Sequence, residues 1–213
     1  MELLVWGDSF AMSVLSVLDE LCRQQNVRAG AAVRSGRPPL MNYVPEWGMP
    51  PEVFFPEVLL DYIRKHRVPK VLLIACWERY HRHNKKNYFA CYQNTIEQLL
   101  QAGCQVWVLT EPPLFPWNPP KAAAKAAWLG QPVEKLGISS QCYQKFLEVP
   151  DRGHGWAASR GVTILDITPW LVQDGFVPVV RDGNVLLHDP IHLNTHGALI
   201  VKEAFAPIFK PKN

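Results

Sequence analysis

The sequence predicts an α/β protein, a three-layer α/β/α sandwich around a mostly parallel five-stranded sheet. Three observations predict it. Short β-rich runs alternate with longer stretches of helical periodicity along the 213 residues. The run 71–76 is apolar without interruption, as a strand covered on both faces requires. Glycine or proline closes several of the runs, at Gly7, Ser35-Gly36, Gly103 and Pro112-Pro113. A chain of this length buries one sizeable core, so a single domain over residues 1–213 is expected.

The elements follow in order. Residues 3–6 form a short apolar strand ended by Gly7. From 11 to 24, Met12, Leu15, Val17, Leu18, Leu21 and Cys22 recur at helical spacing. A second strand is expected at 29–34, and a helix within 53–66 that Pro56 forces to begin near itself. The strand 71–76 precedes a helix over 87–102, with Gly103 as its C-terminal stop. Residues 105–110 read as a fourth strand. The Pro- and Ala-rich stretch 114–137, carrying Phe115, Trp117 and Trp128, has no pattern that fixes its shape; a loop over a functional edge suits it. Helical stretches at 140–147 and 155–160 lead to a fifth strand at 162–165. Residues 176–180 and 185–187 flank Asp182-Gly183-Asn184, a hairpin turn. A helix over 195–205 closes the chain.

Composition limits the function classes. Nearly half the residues are hydrophobic and the net charge is only +3, without the basic patch that nucleic-acid binding needs. No run approaches the roughly 18 apolar residues of a membrane span, and the first residues, Met1 to Trp6, lack the basic region of a signal peptide. The expectation is a cytoplasmic location if this is the whole chain, and an extracytoplasmic one if it is excised from a membrane acyltransferase. The five cysteines are odd in number and include no CxxC, so they read as small buried thiols.

Two segments carry chemistry. Gly7-Asp8-Ser9-Phe10 joins the first strand to the first helix, at the edge where open parallel sheets bind ligands. The Ser9 N–H there lies at a helix N-terminus, favourable to developing negative charge. The bland alternative is capping, since Asp and Ser are preferred N-caps. At the other end, His188-Asp189-Pro190-Ile191-His192-Leu193-Asn194 precedes the last helix. A serine hydroxyl needs a base, and imidazole can take its proton near neutral pH. An aspartate three residues before the histidine can hold its tautomer within one turn of chain. Ser9, His192 and Asp189 are therefore the candidate catalytic residues.

Gly-Asp-Ser near the N-terminus with Asp-x-x-His near the C-terminus resembles the first and last blocks of the SGNH (GDSL-type) hydrolases. The resemblance extends over nearly the whole chain and implies a flavodoxin-like, SGNH-hydrolase fold. It further implies a serine esterase or O-acyltransferase acting on O-acyl esters through an acyl-enzyme, with no cofactor and no metal. The family's further oxyanion donors are a glycine after the second strand, matched by Gly36, and an asparagine after the third, which is missing: Cys76-Trp77-Glu78-Arg79-Tyr80 stands there. The oxyanion hole then consists of Ser9 and Gly36 with an unidentified third donor or none, and loss of one donor can cost on the order of a hundredfold in rate. Cys76-Trp77 followed by Tyr80, and Asp189 to Asn194 followed by Gly197-Ala198, are similar to the SGNH domains fused to membrane acyltransferase-3 proteins. That points to carbohydrate-linked esters as partners. Asp8, Trp77, Glu78 and Arg79 are candidate cleft residues, with Glu78 and Arg79 as a possible ion pair at its edge.

Two other classes compete. His188, Asp189, His192 and His196, with His81 and His83, have spacings compatible with zinc, although Pro190 breaks the helix such chelation needs. A non-catalytic carbohydrate- or partner-binding domain on the same fold would also explain the missing asparagine. The aromatic residues of 114–128 read as packing before substrate platform, Arg34 and Arg37 as a solvated pair, and His154 as an exposed loop residue.

Overall fold

The computed structural model describes residues 1–44 and 54–210. The chain runs through β1 (Leu3–Gly7), α1 (Ser9–Gln24), β2 (Ala29–Val33), α2 (Phe54–His66), β3 (Lys70–Ile74), α3 (Trp77–His83) and α4 (Tyr88–Gln101). It continues through β4 (Gln105–Leu109), α5 (Pro119–Trp128), β5 (Gly137–Ser139), α6 (Ser140–Ser159), β6 (Thr163–Leu165) and α7 (Thr168–Leu171). The last elements are β7 (Phe176–Pro178), β8 (Val180–Arg181), β9 (Asn184–Val185), α8 (Thr195–Ile200) and α9 (Ala206–Phe209).

Five strands make one parallel sheet in the order β2-β1-β3-β4-β6. The chain steps outward from β1 to β2, recrosses β1 to reach β3, and adds its later strands on that side. Right-handed crossovers then place α1 on one face and α2, α4 and α6 on the other. Packing agrees: α1 lies against α8, and α3 and α4 lie against α6. The expected α/β/α sandwich is the observed one.

Register decides where chemistry can be placed. Gly7 stands beside Val33 on one side and Ile74 on the other, so the loops after β1, β2 and β3 leave the sheet together. That edge, where the winding reverses between β1 and β3, is the ligand-binding position of such sheets. Every residue of β1 is buried, and Trp6, Trp77 and Trp107 anchor the core. Gly7 is required by contact rather than by turn geometry: a Cβ there would lie 2.1 Å from the Ile74 carbonyl oxygen and 2.7 Å from Ala11 Cβ. Gly7→Ala is expected to cost about 3 kcal/mol or more in urea unfolding, because two backbones cannot separate without loss of the ladder.

Several boundaries differ from the sequence reading for identifiable reasons. α1 begins at Ser9 because Asp8 caps it, accepting from Phe10 N–H. Its buried stripe is therefore Phe10, Ala11, Val14, Val17, Leu18 and Cys22, leaving Met12 exposed. The expected start at Val53 lies outside the described residues, and α2 is described from Phe54. The stretch 114–137 holds α5, capped by the Asn118 side chain on Lys121 N–H. α6 is one helix of 20 residues through Pro150, so the expected interruption between 147 and 155 is absent. His154 is consequently a buried helical residue, not a loop residue; its Nδ1 meets the Tyr92 hydroxyl at 3.0 Å, and burial lowers its pKa to about 4. The hairpin is short, with Asp182 and Gly183 both at positive φ between β8 and β9, while β7 pairs with β5. The final helix is broken into α8, a 3-10 turn at Lys202–Phe205, and α9. Cys22, Cys76, Cys91 and Cys104 are buried free thiols as expected, but Cys142 is exposed.

Candidate active site

Asp8 fixes the turn that presents Ser9. One carboxylate oxygen takes Phe10 N–H at 2.8 Å; the other takes Cys76 N–H at 3.2 Å and the Tyr80 hydroxyl at 2.8 Å. Burial pushes the Asp8 pKa up, opposed by those donors, which favour the carboxylate. The turn after β1 is thereby tied to the start of α3. Burial also pushes the Tyr80 phenol up, so it stays protonated and donates. Asp8 is 1% exposed, so it braces the turn rather than lining a cleft, correcting that expectation.

The second half comes from a closed loop. A bridge between Leu187 and Leu193 ties its ends, and His188 N–H donates to His192 C=O at 3.1 Å. Inside it, Asp189 Oδ1 accepts from the N–H groups of Ile191 and His192, at 2.9 and 2.8 Å. Asp189 Oδ2 meets His192 Nδ1 at 2.7 Å, and His192 Nε2 meets Ser9 Oγ at 2.7 Å. Against burial, which raises it, the Ile191 N–H and the His192 ring and N–H hold the Asp189 pKa below the ordinary carboxylate range. A carboxylate only accepts, so Nδ1 carries the proton and Nε2 presents its lone pair to the Ser9 hydroxyl. Phe10 packs on one side of the imidazole, with ring centroids 5.1 Å apart, and His188 stacks on it at 5.2 Å. This arrangement can move a proton from hydroxyl to imidazole with no further motion.

Ser9, Asp189 and His192 line an open cleft of about 580 Å³. Its other walls carry Ser13, Ser16, Ser35 and Thr195, which are hydroxyl groups suited to a polyol. Gly36 follows Ser35 in the turn after β2, with φ of +71°. The residues in the family's asparagine position use their donors elsewhere: Cys76 N–H on Asp8, and Trp77 Nε1–H on Leu109 C=O at 2.9 Å. Trp77 is fully buried, so it too is removed from the expected cleft. Glu78 and Arg79 do face a hollow, which lies beside Ile191. The Glu78 carboxylate is held by Arg82, at 2.7 and 3.0 Å, a pairing the expected Glu78–Arg79 contact did not foresee. Phe115 is buried and Trp117 packs against it, while Trp128 is 84% exposed. Phe115 N–H binds Pro190 C=O at 2.9 Å, so the stretch after β4 does lie on the functional edge.

His188, Asp189 and His192 bring ligand atoms within 4.8 Å of one another, a group that does not include His196. Both ring nitrogens of His192 are already engaged, by Asp189 and by Ser9, so a cation could bind only by breaking that chain. The residues present do not fit a resident metal.

Two residues beside the site were not foreseen. Removing the Tyr80 hydroxyl in Tyr80→Phe deprives a buried carboxylate of one donor. Stability is expected to fall by about 1–3 kcal/mol and kcat by about tenfold at constant KM; a loss of stability with unchanged kcat would make Tyr80 merely structural. Glu111, two residues beyond β4, accepts Glu78 N–H on Oε1, while its buried Oε2 has no hydrogen-bond partner among the described residues. Burial pushes its pKa well above the usual range. Its stabilising protonated form is thus fully present below the unfolded value of about 4.3, and stability is lost as pH rises toward the folded value. Glu111→Gln should remove that dependence. As pH rises above the unfolded value, the variant should gain steadily on wild type in urea titrations.

The family model described as SGNH domain (fused to AT3 domains) matches residues 1–207. The chain belongs to that SGNH family. Among solved structures, this SGNH domain is similar to the periplasmic domain of the Salmonella ser. Paratyphi A lipopolysaccharide acetyltransferase. The TM-score is 0.76 and the identity 16%, over 98% of this chain and 84% of that one. A GDSL-like lipase from Bacteroides thetaiotaomicron matches with TM-score 0.58 and 11% identity, over 97% and 86% of the two chains. The esterase EstA from Pseudoalteromonas sp. matches with TM-score 0.54 and 8% identity, over 96% and 94%. No curated protein matches the sequence. Among the described residues, no helix is long and apolar enough to cross a membrane.

Proposed function

We propose that this SGNH domain is a serine-dependent O-acyl esterase or O-acyltransferase whose substrates are carbohydrate-linked esters. The observation that carries the reading is the unbroken series Asp189–His192–Ser9, with both contacts at 2.7 Å, opening into a hydroxyl-lined cleft. Family membership supports the chemistry, and the acetyltransferase domain from Salmonella supports the substrate class.

His192 Nε2 takes the Ser9 proton as Oγ attacks the ester carbonyl. The oxyanion is held by the N–H groups of Ser9, at the start of α1, and of Gly36. The Cys76 N–H and the Trp77 indole N–H are engaged elsewhere, so neither serves as a third donor. His192 then returns the proton to the departing alcohol, leaving Ser9 acylated. Water or a sugar hydroxyl, deprotonated by the same imidazole, attacks the acyl-enzyme and restores Ser9. An extracytoplasmic location accords with the periplasmic setting of the Salmonella domain.

The test is turnover of p-nitrophenyl acetate beside an O-acetylated oligosaccharide, with water and with a second sugar as acceptor. Hydrolysis of both esters makes the domain an esterase, and acyl transfer to the sugar a transferase. Failure on every ester would leave a carbohydrate-binding domain on an SGNH fold.

A further inference from the structure

The mechanism gives no part to His188, although it lines the same cleft as Ser9 and His192. The chain fixes where its ring stands. The Leu187–Leu193 bridge is antiparallel and His188 N–H donates to His192 C=O at 3.1 Å, so residue 188 lies directly opposite residue 192 in one register. Side chains of such opposed residues share a face, and the next pair along takes the other face. Leu187 and Leu193 are accordingly buried, while His188 and His192 both meet the cleft. Their imidazoles lie parallel, with 8° between the planes and 5.2 Å between centroids, an offset stack. His192 needs such a contact. Nδ1 on Asp189 Oδ2 and Nε2 on Ser9 Oγ tie the ring at two edge atoms, which leaves it free to rock about the line joining them. Rocking tilts both hydrogen bonds out of line, and only contacts on the ring faces oppose it. Phe10 supplies one from the buried side, with centroids 5.1 Å apart. His188 supplies another from the solvent side: its own side chain is 59% exposed and that of His192 only 17%.

We propose that His188 is a positioning residue for the imidazole of His192: its flat face, not its nitrogens, holds the plane of that ring and screens the Asp189–His192 hydrogen bond from water. The inference rests on the proposed reading of Ser9 and His192 as a reacting pair, and it adds what keeps them aligned in a cleft open to solvent. His188 Nε2 stands 3.6 Å from Asp189 Oδ2, the oxygen that meets His192 Nδ1 at 2.7 Å. That separation is too long for a hydrogen bond and too short to admit water between the two atoms. Screening matters because the bond must answer the positive charge that His192 gains from Ser9, and it does so more strongly where water is kept away. Without the ring at 188, water can compete for Oδ2 and the imidazole can tilt away from Ser9 Oγ.

The experiment follows the Nδ1 proton of His192 by proton NMR in the whole chain, with no ester present, so it fails independently of the esterase reading. In wild type this proton should give a resolved downfield signal. Its exchange with water should be about tenfold faster in His188→Ala and within about threefold of wild type in His188→Phe, which keeps a flat face and discards both nitrogens. Turnover of p-nitrophenyl acetate is the second readout: kcat should fall about tenfold in His188→Ala at near-constant KM and recover in His188→Phe. Thermal midpoints should match wild type, because the side chain is exposed, and they separate lost alignment from lost fold. Exchange as slow in His188→Ala as in wild type, or as fast in His188→Phe as in His188→Ala, overturns the proposal. So does a wild-type Nδ1 proton that exchanges too fast to be seen. A chain that turns over no ester yet shows the expected exchange pattern would sink the esterase reading and still support the positioning role.

Discussion

Ser9→Ala and His192→Ala are each expected to lower p-nitrophenyl acetate turnover by at least about a thousandfold, and the double variant to be little worse than either. The non-additivity follows from geometry. His192 Nε2 meets Ser9 Oγ at 2.7 Å, and neither group can form or resolve an acyl-enzyme alone. Substrate binding should survive, because the cleft walls from Ser13 to Thr195 do not depend on either side chain. Thermal midpoints of the two variants, measured beside the kinetics, separate lost chemistry from lost structure. Independent, multiplying effects in the double variant would mean that the two residues do not act as a unit.

Asp189→Asn is expected to cost about a thousandfold or more in kcat while the fold and KM are kept. Asparagine can still accept the N–H groups of Ile191 and His192 on its amide oxygen, as Asp189 Oδ1 does at 2.9 and 2.8 Å. Its NH2 group, however, would stand where Oδ2 meets His192 Nδ1, and donor would face donor. The imidazole then shifts its proton to Nε2 and can no longer accept from Ser9. Asp189→Ala provides the comparison: it removes the wrong donor and should be no worse than asparagine. Near wild-type kcat in Asp189→Asn would mean that the carboxylate is not what sets the tautomer.

Much of this was legible in the sequence because the two decisive segments are locally self-sufficient. Asp8 caps α1 and Asp189 binds its own loop, both within three residues. The join between them comes from α8, which follows the Asp189–His192 loop and packs against α1. What escaped was whatever needed distant partners. Tyr80 reaches Asp8 across 72 positions, and nothing in Trp77-Glu78-Arg79-Tyr80 states which aromatic ring turns inward. Trp77 was expected in the cleft, yet its indole N–H finds Leu109 C=O beneath the sheet edge. Residues 148–154 were read as lying between two helical stretches, but α6 runs through them and buries His154 beside Tyr92. The hollow beside α3 was invisible for a related reason: the helix itself, seven residues long, was not anticipated after β3.

The central claim is that Ser9 is a nucleophile activated by His192. The most direct measurement is intact-mass analysis after treatment with a fluorophosphonate, followed by peptide mapping. The account predicts one adduct per chain, on Ser9, formed within minutes by wild type and not by His192→Ala. An unmodified wild-type chain, or an adduct elsewhere while Ser9 stays free, would contradict it.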